Sequence, residues 1–126
     1  MTKITCIFCD YKREEIIEKN NLAYLIYDNY PVNKGHMLII PFRHVVNFFE
    51  LTEEELSAIY ELLIKGQEKL KEEVKATGFN VGANIGHDAG QTVFHMHMHL
   101  IPRFHGDVDD PRGGIRNFKK PLVKYP

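Results

Sequence analysis

At 126 residues and 44% hydrophobic content, the chain is sized for one domain that buries roughly two-thirds of the surface its unfolded form exposes. Sixteen basic and seventeen acidic residues leave a formal net charge of -1, too little for a long-range field drawing the protein to nucleic acid or an anionic membrane. No apolar run approaches the ~20 residues that span a bilayer, and no secretory apolar segment follows Met1-Thr2-Lys3, so a cytosolic protein with neither membrane nor nucleic-acid partner is expected.

Cys6 and Cys9 stand two residues apart, the spacing of metal clips and redox pairs, and as the only cysteines they argue against a secreted disulfide framework. Residues 11–19 are polar and compatible with a helix, and Asn20-Asn21 reads as a turn. Residues 22–28 form an aliphatic and aromatic strand. The stretch from Pro31 to Gly35 breaks it, and residues 36–40 form a second apolar strand that Pro41 stops. The short link between these strands predicts an antiparallel pair.

Thr52-Glu53-Glu54-Glu55 carries the capping-box pattern, with Thr52 placed to accept from first-turn amides and Glu55 to reach back. A long helix is predicted from there to about residue 76. Leu56, Ile59 or Tyr60, Leu63, Leu70 and Val74 recur on one face with a break at Gln67, and Gly78 is the expected stop. Residues 79–85 form a third strand, and His87-Asp88-Ala89-Gly90 a loop. After the histidine-rich run at 95–101, periodicity is lost from Pro102 onward. Strands mixed with one long helix, without a βαβ rhythm, predict an α+β domain with a largely antiparallel sheet. One domain is expected over residues 1–126, its core at about 6–103 and an irregular tail at 104–126.

His95-Met96-His97-Met98-His99-Leu100-Ile101 is the most telling stretch. As a strand it would set three imidazoles on one face and Met96, Met98 and Leu100 on the other. Three readings compete on these residues alone: a histidine nucleophile system, a three-histidine metal centre, or packed structural imidazoles. Gly90-Gln91-Thr92-Val93 upstream adds an amide, a hydroxyl and a flexible glycine, neutral donors that suit phosphate oxygens better than a zinc shell.

The pattern His, apolar, His, apolar, His, two apolar at 95–101 resembles the histidine-triad (HIT) superfamily of nucleotide hydrolases and transferases. Asp28, Gly35-His36, Asn84 and Gly90-Gln91-Thr92-Val93 extend the resemblance across residues 6–103. It implies a HIT-like sheet of about five strands with one long and one short helix. It also implies attack on a nucleotide α-phosphate by His97, through a nucleotidyl-histidine intermediate. His99 is similar in position to the residue that hydrogen-bonds the phosphate or bridging oxygen, and His95 and His36 to residues supporting the nucleophile. Asn84, Gln91 and Thr92 match phosphate contacts, Asp28 a ribose contact, and Ile7, Phe8 and Leu38 the wall against the base. For those three, ordinary core packing is the competing account, and for Asp28 a strand-end turn. His87 and His105 match nothing and are taken as solvated.

Cys6, Cys9, His44 and His95 match the structural zinc ligands of many bacterial and archaeal members, a closed Cys₂His₂ set; bystander thiols or a redox pair are the alternatives. If zinc takes His95, that ring is not a proton carrier. The resemblance further implies a homodimer with sheets continued across the interface, and a dinucleoside polyphosphate such as diadenosine tetraphosphate as substrate, with Mg²⁺ as a possible companion of the polyphosphate. Arg112, Arg116 or Lys119 in the tail could then meet distal phosphates, unless the tail is a solvated wrapping loop. Competing expectations are a nucleoside phosphoramidate hydrolase, a phosphorylase using inorganic phosphate, and a nucleotide-binding regulator with negligible turnover.

Overall fold

The computed structural model describes residues 6–117. Its longest element, α1 (Glu53–Glu73), starts where the capping box places it: Thr52 Oγ1 accepts from the Glu55 amide at 3.1 Å and Glu55 Oε1 from the Thr52 amide at 2.9 Å. The remaining capacity of the buried Glu55 carboxylate is met by Arg43, whose guanidinium donates to both oxygens at 2.7 and 3.0 Å. That charge-assisted fork holds the Glu55 carboxyl down at about 2 and ties the start of α1 to the segment that carries His44. No helix among the described residues is long and apolar enough to cross a membrane.

Strands β1 (Glu18–Lys19), β2 (Ala23–Tyr27), β3 (Met37–Pro41), β4 (Gly78–Gly82) and β5 (Met98–Arg103) form one antiparallel sheet in the order β1-β2-β3-β5-β4. The α+β expectation of five strands and one long helix is met, while the short helices are three-residue 3₁₀ turns such as Arg13–Glu15. Alternation divides the sheet into two faces. Leu25, Met37, Ile39, Met98 and Leu100 pack under α1 with Ile59, Leu62 and Leu70. Tyr24, Ile26, Leu38 and Ile40 point the other way, where Phe8 of the N-terminal segment covers them.

Several expected boundaries move. Residues 11–19 form no α-helix beyond the 3₁₀ turn at Arg13–Glu15: Ile17 joins the α1-side core and Ile16 the opposite cluster, as adjacent residues do in extended backbone, and β1 takes up Glu18–Lys19. The helix stops at Glu73, because Lys75 takes a left-handed φ of 59°; Gly78 opens β4 instead. The buried face of α1 is Glu55, Ile59, Leu62, Gly66 and Leu70, whereas Leu56 and Tyr60 are exposed. Gly66 explains that rotation. A Cβ there would lie 2.8 Å from Leu100 Cδ2 and 3.2 Å from Met37 Sδ, so the missing side chain lets the helix sit close on the sheet.

Candidate active site and metal cluster

The histidine run begins before its strand. β3 ends at Pro41, which has no amide to extend the ladder, so residues 95–97 are held to their neighbour by the Met96 amide on the Val45 carbonyl at 2.7 Å and β5 starts only at Met98. The in/out alternation nevertheless persists, with Met96, Met98 and Leu100 buried in the α1-side core. The expected single row of imidazoles is therefore a strand residue, His99, preceded by two in irregular backbone.

Backbone groups assign each ring a tautomer, since a carbonyl only accepts and an amide only donates. His95, fully buried, sets Nε2 2.8 Å from the Pro41 carbonyl, so Nε2 carries the proton and Nδ1 keeps its lone pair. Burial pushes this ring's pKa below the usual value. His97 sets Nδ1 2.9 Å from the His95 carbonyl, which leaves its lone pair on Nε2. The Val32 amide donates to His36 Nδ1 at 3.0 Å, and His36 Nε2 stands 2.9 Å from His99 Nδ1. His36 must donate in that pair, so His99 bears its proton on Nε2. Desolvation lowers the pKa of His36, and lowers that of His99 to about 4.

Around the His95 Nδ1 lone pair lie Cys6 Sγ at 3.3 Å, Cys9 Sγ at 3.5 Å and His44 Nδ1 at 3.2 Å, with Cys9 Sγ 3.2 Å from His44 Nδ1. A tetrahedral zinc with two thiolates and two imidazoles would separate donor atoms by roughly 3.3–3.8 Å. The four residues fit such an ion in number, type and spacing, and the Pro41 carbonyl on the far nitrogen of His95 is the kind of outer partner that fixes a ligand imidazole. Asp28, His36 and His99 also converge, yet this second cluster is a hydrogen-bonded relay. A metal on His36 Nε2 would force the ring proton onto Nδ1, against the Val32 amide.

The other expected site residues fall around these rings. Leu38 pairs opposite His99 in the sheet register and so shares its face. Phe8 is buried with its ring 5.1 Å from that of His97, while Ile7 beside it is 60% exposed. Asp28 fits the strand-end turn, its Oδ1 accepting from the Tyr30 amide, while Oδ2 lies 3.5 Å from His36 Nε2. Asn84 and Thr92 are exposed, Asn84 beside Gly90. Gln91 is only 3% exposed: its Oε1 accepts from the Gly86 amide, and its Nε2 donates to the Val46 and Val93 carbonyls. Its amide braces the loop that carries Thr92.

His87 and His105 are exposed as expected. In the tail, Arg112 pairs with exposed Asp110, Arg116 lies in a 3₁₀ turn at Gly114–Arg116, and Lys119 falls outside the described residues. Sequence reading missed the tail's anchor: Arg103 forks onto Asp107 and reaches Asn80, and Asn33 also donates to Asp107, whose carboxyl is held well below its usual range by that guanidinium. Only an Arg four residues before an Asp hinted at it. This network turns the chain back so that Ile115 sits over Gly82, the register partner of His99.

A model of the HIT domain family matches residues 11–106. The chain is 41% identical over 122 residues to an uncharacterized HIT-like protein of Methanocaldococcus jannaschii, covering 89% of this chain and 90% of that one. It is 33% identical over 95 residues to an AP-4-A phosphorylase of Mycobacterium tuberculosis, covering 75% of this chain and about half (49%) of that longer protein. A crystal structure of a Zn-bound histidine triad family protein from Mycobacterium smegmatis superposes with a TM-score of 0.74 at 31% identity, covering 82% of this chain and 78% of that one. The chain belongs to the HIT family.

Proposed function

We propose that the protein cleaves nucleotides at the α-phosphate through a covalent nucleotidyl-His97, with a dinucleoside polyphosphate such as diadenosine tetraphosphate as the favoured substrate. The observation that carries the reading is the His97 Nδ1 contact to the His95 carbonyl, which leaves Nε2 as a neutral nucleophile on the face that also holds His99, ring centroids 5.3 Å apart. As Nε2 bonds to phosphorus, positive charge grows on the ring and the Nδ1–H bond to the carbonyl strengthens, which favours the transition state over the ground state.

His99 supplies a hydrogen bond to the phosphate or bridging oxygen, with His36 behind it. Asp28 takes the ribose hydroxyls, Thr92 and Asn84 the phosphates, and Phe8, Ile7 and Leu38 form the wall for the base, with Gln91 holding the phosphate loop in shape. Cys6, Cys9, His44 and His95 hold a structural zinc, which would clamp the N-terminal segment to the start of the histidine run. The likeness to a Zn-bound HIT protein and to an AP-4-A phosphorylase supports both parts. The thiols are unpaired, in keeping with a reducing compartment. A homodimer is proposed that continues the sheet across the open edge of β4, where Val81 is exposed, with the exposed Leu56, Tyr60 and Ile64 of α1 as a further packing face.

Rapid-quench mass spectrometry with diadenosine tetraphosphate should find AMP attached to the peptide bearing His97; turnover without that adduct refutes the mechanism. Products separate the acceptors. Water releases AMP from the intermediate, and orthophosphate releases ADP.

A further inference from the structure

We propose that a metal held by Cys6, Cys9, His44 and His95 sets the affinity for the nucleobase through Phe8, the residue its two thiols flank, and that the Tyr24 hydroxyl is a second fastener on the same wall. The cluster is then a positioning device for the base subsite as well as a staple on the fold. This rests on the reading of the four residues as a zinc site and of Phe8 as the wall for the base; it is independent of which residue attacks phosphorus.

The segment that carries Phe8 lies outside the sheet. It is a turn closed on itself by the Asp10 amide on the Cys6 carbonyl at 3.1 Å. Among the described residues, the hydrogen bonds that join this turn to the rest of the domain are the thiol contacts to His44 and His95 and the Tyr24 hydroxyl, which donates to the Phe8 carbonyl. A thiol is a weak hydrogen-bonding group, so those contacts alone hold the turn poorly, whereas thiolates bound to zinc are held by bonds strong enough to order a small domain. Phe8 follows Cys6 by two residues and precedes Cys9 by one, a span of at most ~7 Å to the farther anchor. With both ends fixed, its backbone has little room to move. Tyr24 approaches from the sheet. It sits in β2, is 1% exposed, and its ring packs against those of Tyr11 and Phe42 at centroid distances of 5.7 and 5.1 Å, so its hydroxyl is presented from a rigid element.

The Phe8 side chain joins the two halves of the site. Its ring stands edge-on to the ligand imidazole of His95, 5.9 Å between centroids at 81°, and 5.1 Å from the ring of His97. The ribose fixes how far a base can lie from its own α-phosphate, so a wall that drifts from His97 no longer meets the base of a nucleotide whose phosphate is in place. The phosphate contacts proposed for Thr92 sit on a different loop, braced by Gln91 on the Val46 and Val93 carbonyls and not by the thiols. Loosening the turn should therefore weaken recognition of the base and spare that of the sugar phosphate.

The test compares zinc-loaded and chelator-stripped wild-type protein, well below its melting transition, by NMR titration with AMP and with ribose 5-phosphate, which lacks the base. Stripping should weaken AMP binding about tenfold, the scale of one aromatic contact, and change ribose 5-phosphate binding less than about twofold. Equal losses for both ligands, or no loss for either, overturn the coupling. Phe8→Ala in the loaded protein should cost about as much AMP affinity as stripping does, and stripping that variant should add less than about twofold, because both changes remove the same contact; losses that multiply overturn the route through Phe8. Failure of Phe8→Ala to weaken AMP at all would overturn the base-wall reading, and the coupling with it, while an AMP adduct on His97 still stood. Tyr24→Phe keeps the ring and removes the O–H, so at unchanged zinc content it should weaken AMP about threefold and leave ribose 5-phosphate unaffected. A parallel loss of ribose 5-phosphate binding would reduce Tyr24 to a packing residue and overturn its part.

Discussion

His95 and His99 lie four residues apart on one segment, and their surroundings give them opposite chemistry. At the first, a carbonyl accepts from Nε2–H and so leaves the Nδ1 lone pair facing two thiols and a second imidazole. At the second, a neighbouring ring occupies Nδ1 and leaves Nε2–H as a donor. Residue type is the same; what differs is which fixed backbone group stands behind the ring, Pro41 O in one case and Val32 N–H, one ring removed, in the other. Between them, His97 takes its tautomer from the His95 carbonyl, so a metal held at His95 would also steady the acceptor on which the nucleophile leans.

Replacing the middle ring tests whether the two ends are separable. His97→Ala should lower kcat by at least about 10³-fold while nucleotide affinity stays within about tenfold, because the group acts mainly after binding. The same variant should keep one zinc per chain by metal analysis. Metal lost with His97 would mean that the triad itself is the metal centre, and the contrast between the two ends would fail.

Cys6→Ser breaks only the His95 end. Zinc content should fall to near zero, and the loss of a clamp worth roughly 2–3 kcal/mol should lower Tm by about 10 °C. Activity should drop less than in His97→Ala, since the carbonyl of His95 remains in the chain even when its side chain loses its partners. Full retention of metal and Tm would reduce the thiols to bystanders.

The contrast explains what the sequence could and could not reveal. The triad, the Cys-x-x-Cys pair and the capping box at Thr52 announce themselves because side-chain type and spacing carry the information. Antiparallel pairing and the α+β class followed from apolar runs and punctuation. What stayed hidden depends on backbone groups brought from afar. Nothing in Val32 marks its amide as the partner of His36, and Pro41 looks like a strand stop and not a hydrogen-bond acceptor for a residue 54 positions later. The rotation of α1 was hidden for a related reason: Gly66 reads as a gap in the apolar stripe, yet it is where the helix backbone comes close to Leu100 and Met37. Gln91 matched a phosphate contact by position, and only its three backbone partners show how much of its amide is already committed.

Asp28→Ala perturbs the His99 end more gently. Its carboxylate is proposed to hold the ribose and stands near His36 Nε2, so KM should rise by about tenfold with a smaller fall in kcat. Steady-state kinetics with diadenosine tetraphosphate distinguishes this from the reverse pattern, which would move Asp28 from binding into the chemical step.

The smallest expected effect is on stability against acid. The folded-state pKa values of His36 and His99 lie below those of the unfolded chain, that of His99 at about 4. As pH falls below about 6.5, unfolded imidazoles bind protons that the folded ones refuse, so stability is fully present above that value and declines through the window down to the folded pKa. Zinc release from protonated thiols would add an acid loss of its own, so the measurement belongs in the Cys6→Ser background, where that contribution is already gone. There, Tm should drop steadily between pH 6.5 and 4.5, and replacing both His36 and His99 by Asn should shallow the slope. Burial also pushes His95 down, and because His95 is present in both proteins a residual slope should remain. An identical slope with and without the His36–His99 pair would show that those two rings protonate freely in the folded protein, and the difference drawn between the two ends of the segment would then lose its basis.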